Sequence, residues 1–242
     1  MSKRNSLVEI VTNDLRTKIK KDTFSGYRLP SEPELALKFD VSRNTIRQAL
    51  TSLEAEGIIN RKHGAGTFIS QHVINIGNRL DEVWDFEEMI KNSGFSPSIQ
   101  HVELSLIAPS ELVTNKLSLS KGDEVLRTAN IFLADEMPVI YCVDYIPARI
   151  IRSAYEENEL YGPVYEFLKK RCHQLVEQNI TEILSVISDN ELSEFLSCAP
   201  GSPIHYFREL ALNENDEPIM YSDEYYCPEH FSFYIVRKMI YP

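Results

Sequence analysis

The chain has 242 residues, 43% hydrophobic and 25% charged, with a formal net charge of -11; this suits one large or two modest domains of ordinary soluble composition. No apolar run approaches the roughly 18 residues of a membrane span, and the first twenty residues hold neither an unbroken apolar core nor a small-residue cleavage site, so neither membrane insertion nor a signal peptide is expected. Cys142, Cys172, Cys198 and Cys227 include no C-x-x-C pair, which predicts reduced thiols, a cytoplasmic location and no zinc site.

In chain order, Leu7, Ile10, Val11, Leu15 and Ile19 recur at helical spacing and predict an amphipathic helix from about Leu7 to Lys21. Pro30 stops any continuation. Ser31 and Glu34 have capping-box spacing with Pro33 in the first turn, predicting a short second helix whose inner face is Leu35, Ala36 and Phe39. Lys38-Phe39-Asp40-Val41 reads as a turn. Ser42 then caps a third helix, about Arg43 to Glu56, burying Ile46, Ala49, Leu50 and Leu53. Its other face carries Arg43, Asn44, Arg47, Gln48 and Thr51. Such side chains pair with base edges; the plainer alternative is a solvated polar face.

Gly57 ends the third helix. Ile58–Lys62 and Thr67–Ile69 read as two strands joined by His63-Gly64-Ala65-Gly66. The glycines permit positive φ and close backbone approach to a groove. Lys62 and His63 bring charge to the tip, with Arg61 as a third candidate. Residues 1–75 carry 12 Lys+Arg against 8 Asp+Glu, whereas the remainder carries 13 against 28. A cationic head on an acidic body points to a polyanion as the partner of the head alone.

Beyond a short joining stretch, strand-like and helix-like segments alternate. No G-x-G-x-x-G, G-x-S-x-G or metal-spaced His pair is present, so no catalytic, metal or cofactor residues are assigned. An internal repeat is visible. Glu111-Leu112, Gly122, Arg127, Pro138, Tyr141 and Asp144-Tyr145 correspond to Glu191-Leu192, Gly201, Arg208, Pro218, Tyr221 and Glu224-Tyr225. Each copy reads helix, glycine turn, strand, acidic turn, strand. Two such copies are expected to pair into one sheet covered by helices, an α+β arrangement.

The run LPSEPELALKFDVSRNTIRQALTSLEAEGIINRKHGAGTFIS resembles the DNA-binding domain of the GntR family of bacterial transcription regulators over residues 7–70. The resemblance implies a winged helix-turn-helix whose dimer sets recognition helices in the major groove and wings in the minor groove of a palindromic operator. The implied DNA-contact candidates are Arg28, Ser31, Ser42, Arg43, Asn44, Thr45, Arg47, Gln48, Lys62, His63, Gly64, Gly66 and Thr67. One departure is Pro33, where the family often has an arginine that contacts DNA; its absence implies an altered operator preference or weaker binding.

The remainder is similar to the UTRA effector-binding domain of the HutC subgroup, chorismate lyase-like in fold, on the strength of LADEMPVIYCVDYIP and NDEPIMYSDEYYCPEHFSFY. The expected organisation is therefore a winged helix-turn-helix over 1–70, a linker over 71–79, and a mixed, mainly antiparallel-sheet effector and dimerisation domain over 80–242. The resemblance implies a homodimer, with operator affinity set by a small metabolite and repression as the expected outcome. Phosphosugar-sensing relatives use two arginines and a serine before a tyrosine; the matching positions here are Asn130, Phe132 and Pro163, with Tyr165 kept. An unphosphorylated effector is thus expected: an amine, a polyol or an amino-acid-like molecule. The effector-binding candidates are Arg127, Asn130, Phe132, Asp144, Tyr165, Arg208, Glu224 and Tyr226. Two alternatives stay open: Asp144 and Glu224 as structural ion pairs with Arg127 and Arg208, and a body that is catalytic or purely dimerising.

Overall fold

Serine caps set the starts of the first helices. Ser6 Oγ accepts from Glu9 N at 3.2 Å while Glu9 accepts from Ser6 N at 2.7 Å, opening α1 (Leu7–Lys20). Glu34 likewise accepts from Ser31 N at 2.7 Å at the start of α2 (Glu32–Phe39). Ser42 Oγ accepts from Thr45 N at 3.1 Å and starts α3 (Arg43–Ala55). Each cap satisfies a backbone donor that the helix itself leaves open. The structure, a computed structural model, describes residues 6–21, 24, 27–74, 76–83 and 85–237.

The three helices close on Leu15, Ile19, Leu35, Ile46, Leu50 and Leu53, all buried. Asp40 turns the chain from α2 into α3 in the left-handed region, at φ 52. After α3 the wing forms from β1 (Ile59–Lys62) and β2 (Gly66–Ile69), antiparallel with Lys62 opposite Gly66. Leu29 N donates to Thr67 O at 2.9 Å, which anchors the segment before α2 to the wing.

Contacts divide the described chain into two units, one holding the residues up to Arg79 together with Tyr234–Arg237, the other Leu80–Phe233. The joining stretch 71–79 opens with a helical turn, α4 (Gln71–Ile74), whose Val73 and Ile74 pack on the head core. The last described residues do not belong to the effector body, because Tyr234 N donates to Asn78 O at 3.1 Å.

The second unit begins with α5 (Phe86–Asn92) and then repeats one order twice: strand, helix, strand, strand. The first copy is β3 (Pro97–Ile107), α6 (Glu111–Lys116), β4 (Val125–Ala134) and β5 (Met137–Pro147). The second is β6 (Gln178–Ile187), α8 (Asn190–Phe195), β7 (Pro203–Leu212) and β8 (Pro218–Tyr226). Between them lies α7 (Val164–Phe167), continued by a wider π-type turn over Leu168–Cys172. The six strands form one sheet, ordered β3-β4-β5-β8-β7-β6, with every neighbouring pair antiparallel.

The repeat is thus larger than its sequence trace, since each copy also has a leading strand. At the sheet's centre Val143 faces Asp223. The shift that lays Pro138 on Pro218 and Asp144 on Glu224 also lays Val143 on Asp223, so a local twofold passes through this pair. Helices α6 and α8 lie on one face and cross over. Leu192, Phe195 and Leu196 of the second copy pack on Ala129, Ile131 and Tyr141 of the first, while Val113 and Leu117 of the first pack against Tyr221 and Leu210 of the second. The other face is covered by Met89 and Ile90 of α5, by Phe231 and Phe233, and by Leu160, Phe167 and Leu168 from the segment between copies.

Candidate nucleic-acid interface and ligand cavity

Capping by Ser42 fixes the first turn of α3, and the 3.6-residue period then sends Ile46, Ala49, Leu50 and Leu53 inward. Arg43, Asn44, Arg47 and Gln48 are left exposed on the opposite side, as are Lys62, His63, Gly64 and Gly66 of the wing. Thr45 and Thr67 are half-buried. Ser42 and Thr45 also bond to each other, Oγ to Oγ1, at 2.8 Å, so their hydroxyls first serve the helix start. Ser31 Oγ is occupied in the same way, donating to Glu34 at 2.7 Å.

Three features of this surface have no motif behind them. Arg47 is paired with Glu32 of α2 at 2.9 Å although its side chain is 60% exposed; the bond from Arg47 holds the Glu32 carboxyl below its ordinary range. Arg61 is not a tip residue. Its guanidinium turns back to α3, donating to Arg47 O and Thr51 Oγ1, both at 3.0 Å, and pairs with Glu54 at 3.4 Å. The β alternation that exposes Asn60 and Lys62 on one side of the wing directs Arg61 to the other. Arg28 is exposed and braces the wing: its guanidinium stands 5.8 Å from the Phe68 ring centre and against the α-carbon of Gly66, where a β-carbon would meet Nη2 at 3.0 Å. Lys62 Nζ lies over the same ring at 5.3 Å.

In the second unit, strand alternation separates the effector candidates into two groups. Thr128, Asn130 and Phe132 share the face that carries Cys142, Asp144, Ser222, Glu224 and Tyr226. On this face a small cavity is lined by Asp85, Phe86, Asn130, Phe132, Asp144, Pro163, Tyr165, Met220 and Glu224, among others. Tyr226 adjoins it through Phe86, with ring centres 6.1 Å apart. Arg127 and Arg208 lie on the opposite face, away from this cavity, where Arg127 lines a separate hollow with Tyr141, Tyr145 and Asp223. Arg127 pairs with Glu103, and Arg208 with Glu182 at 3.6 Å. The same geometry removes the alternative in which Asp144 and Glu224 pair with these arginines, because the sheet stands between them.

Asp144 and Glu224 are each 4% exposed. Asp144 Oδ1 accepts from Ser222 Oγ at 2.6 Å and from Cys142 Sγ at 3.3 Å. Glu224 accepts from the hydroxyl of Tyr226. Burial pushes both carboxyls up, Asp144 to about 6, and like charge nearby adds to the effect. Glu209 belongs to the same network: it accepts from Thr181 at 2.6 Å and from Asn179 at 2.7 Å, and Asn179 also donates to the Tyr165 hydroxyl at 3.1 Å. Burial raises Glu209 as well. Asn130 is fully engaged, meeting His101 Nδ1 at 2.9 Å and donating to Leu160 O at 3.2 Å. Sequence reasoning missed Glu209, though Phe207, Glu209 and Ala211 share a face by simple alternation. It also missed Asp85, whose carboxylate caps α5 by accepting from Glu87 N at 2.9 Å. No group of residues able to hold a metal is found among the described residues, and none of their helices is long and apolar enough to cross a membrane.

Comparison with known proteins finds one family match in each part of the chain. Residues 7–69 match the family described as bacterial regulatory proteins, gntR family, and residues 92–232 match the UTRA domain. The uncharacterized HTH-type transcriptional regulator YurK of Bacillus subtilis (strain 168) is 27% identical over 215 residues, 88% of this chain and 86% of its own length. A probable fructoselysine utilization operon transcriptional repressor of Shigella flexneri is 26% identical over 207 residues, covering 84% of this chain and 82% of that one. Among solved structures, the possible transcriptional regulator YydK of Bacillus subtilis aligns with a TM-score of 0.79 at 19% identity, across 96% of this chain and 99% of that one, a likeness of fold.

Proposed function

The chain belongs to the gntR family of bacterial regulatory proteins and carries a UTRA domain, and from that premise we propose that it is a cytoplasmic, homodimeric repressor that leaves its operator when a small, unphosphorylated metabolite fills the cavity of the second unit. The observation that carries the DNA half is the exposed row Arg43, Asn44, Arg47 and Gln48 on a helix pinned by its cap, beside a wing whose tip presents Lys62 and His63. Arg43 is assigned to base edges, and Lys62 and His63 to phosphates.

The ligand half rests on the cavity beneath α5 and α7. Its lining, among the described residues, offers no arginine or lysine to a phosphate. A two-fold dimer requires half-sites about 34–36 Å apart or a multiple of that spacing. Coupling of about 1–3 kcal/mol between cavity and head suffices to change operator occupancy 5–150-fold. The test selects a binding sequence from a randomised DNA pool with the full-length protein, then screens unphosphorylated metabolites for release of that DNA. Enrichment of a palindrome and its release by a compound are expected. A pool that stays random refutes the DNA assignment, and catalytic turnover of the compound refutes the assignment of a purely sensory body.

A further inference from the structure

We propose that the cavity binds a molecule bearing a protonated amine, its ammonium seated between Asp144 and Glu224 and its carbon skeleton against Phe86, Phe132 and Tyr165. This deepens the reading of the second unit as a ligand sensor and rests on it.

Among the described residues, three carboxylates, Asp85, Asp144 and Glu224, line the cavity, and no lysine, arginine or histidine does. Each of the two central acids is met by neutral donors at one oxygen only. Asp144 Oδ2 and Glu224 Oε1 receive no hydrogen bond from any described residue, although both side chains are 4% exposed. A buried carboxylate with no cation is costly, and the cost is relieved by a proton or by a counter-charge. A proton alone needs no cavity. An ammonium brings three donors and a full charge to the two open oxygens, and its hydrogen bonds to carboxylates are among the stronger ones.

The competing chemistries fit less well. A phosphate or carboxylate ligand would face three acids without a basic partner, and Asn130 is already held by His101, Leu160 O and Thr128 Oγ1. A neutral polyol finds acceptors but leaves the charge uncompensated. The aromatic side favours a cation too: the Phe86 and Phe132 rings meet edge to face at 4.7 Å, and ring faces attract ammonium groups.

The test uses full-length protein in thermal-shift and calorimetric titrations with matched sets: putrescine, butane-1,4-diol and succinate; glucosamine, glucose and glucuronate. At least one amine is expected to bind, with its uncharged or acidic analogue at least about tenfold weaker. Glu224→Gln and Asp144→Asn should each weaken that amine about 30-fold or more, the lower end of what losing one partner of a buried charge pair costs. Their ligand-free melting temperatures at neutral pH should not fall below that of the parent, which separates a lost contact from a lost fold. The inference is overturned if an alcohol or carboxylate matches its amine, if no amine in the sets binds, or if the amine's affinity survives both substitutions. A second readout separates this from the broader function. A non-amine that releases operator DNA overturns the amine and leaves the sensor standing; an amine that binds without altering DNA affinity supports the amine and removes the sensor.

Discussion

Asp144→Asn should stabilise the protein above neutrality, and by an amount that depends on pH. Burial raises the Asp144 carboxyl from 3.8 to about 6, against the pull of its bonds from Ser222 and Cys142, and Glu209 and Asp223 add like charge. Between those two values the folded chain holds a proton that the unfolded chain has released. Folding then binds protons, so stability falls as pH rises through the window and is lowest above it. A displacement of that size corresponds to about 3 kcal/mol, taken as an upper bound. Asparagine keeps an oxygen to accept from Ser222 and carries no charge to desolvate. Urea unfolding of parent and variant at pH 4 and pH 7.5 isolates this group, since Glu209 and Glu224 remain in both chains. The expected result is near-equality at pH 4 and a variant more stable by about 1–3 kcal/mol at pH 7.5. A variant that is less stable at pH 7.5, or a difference that ignores pH, would refute the account of Asp144 as a buried acid without a counter-charge.

Four further outcomes bear on the head. Arg43→Ala should cost about 1–3 kcal/mol on the selected operator and little on random DNA in gel-shift titrations at fixed salt; equal losses would make Arg43 a phosphate contact only. Glu32→Gln frees Arg47 and removes a negative charge beside α3, so affinity for non-operator DNA should rise several-fold with a steeper salt dependence, read by fluorescence anisotropy. Arg61→Ala should lower the stability of the first unit, because its guanidinium ties β1 to α3; a variant with parental stability and weakened DNA binding would return Arg61 to the DNA surface. Gly66→Ala places a β-carbon 3.0 Å from Arg28 at φ +110, where only glycine is comfortable, and should weaken operator binding while leaving the α3 helix intact by circular dichroism.

The head was legible because its signals are local. Caps at Ser31 and Ser42, the glycine after α3 and the period of Ile46, Ala49, Leu50 and Leu53 each act within one or two turns. The wing's existence was equally legible, but Arg61 was not, since its direction depends on the alternation of a four-residue strand and on Glu54 standing behind it. In the body, the acidic turns and repeated Pro-to-acid spacing revealed two hairpins. Strand alternation on β4 and β7 would have placed Arg127 and Arg208 opposite Asn130 and Glu209, but the partners of those strands lie far off in sequence. The cavity itself depends on what covers the sheet: Asp85, Phe86 and the 162–165 segment are distant from β4 and β8 in the chain, and no short-range pattern brings them together.

The crossed packing of α6 and α8 has a genetic corollary. Each repeat shelters the other's strands, so a fragment ending after the first copy would expose Ala129, Ile131 and Tyr141 to water. Asp144 and Glu224 stand as counterparts on either side of the Val143–Asp223 axis, so any site that uses both acids is built from both copies and neither copy alone contains it.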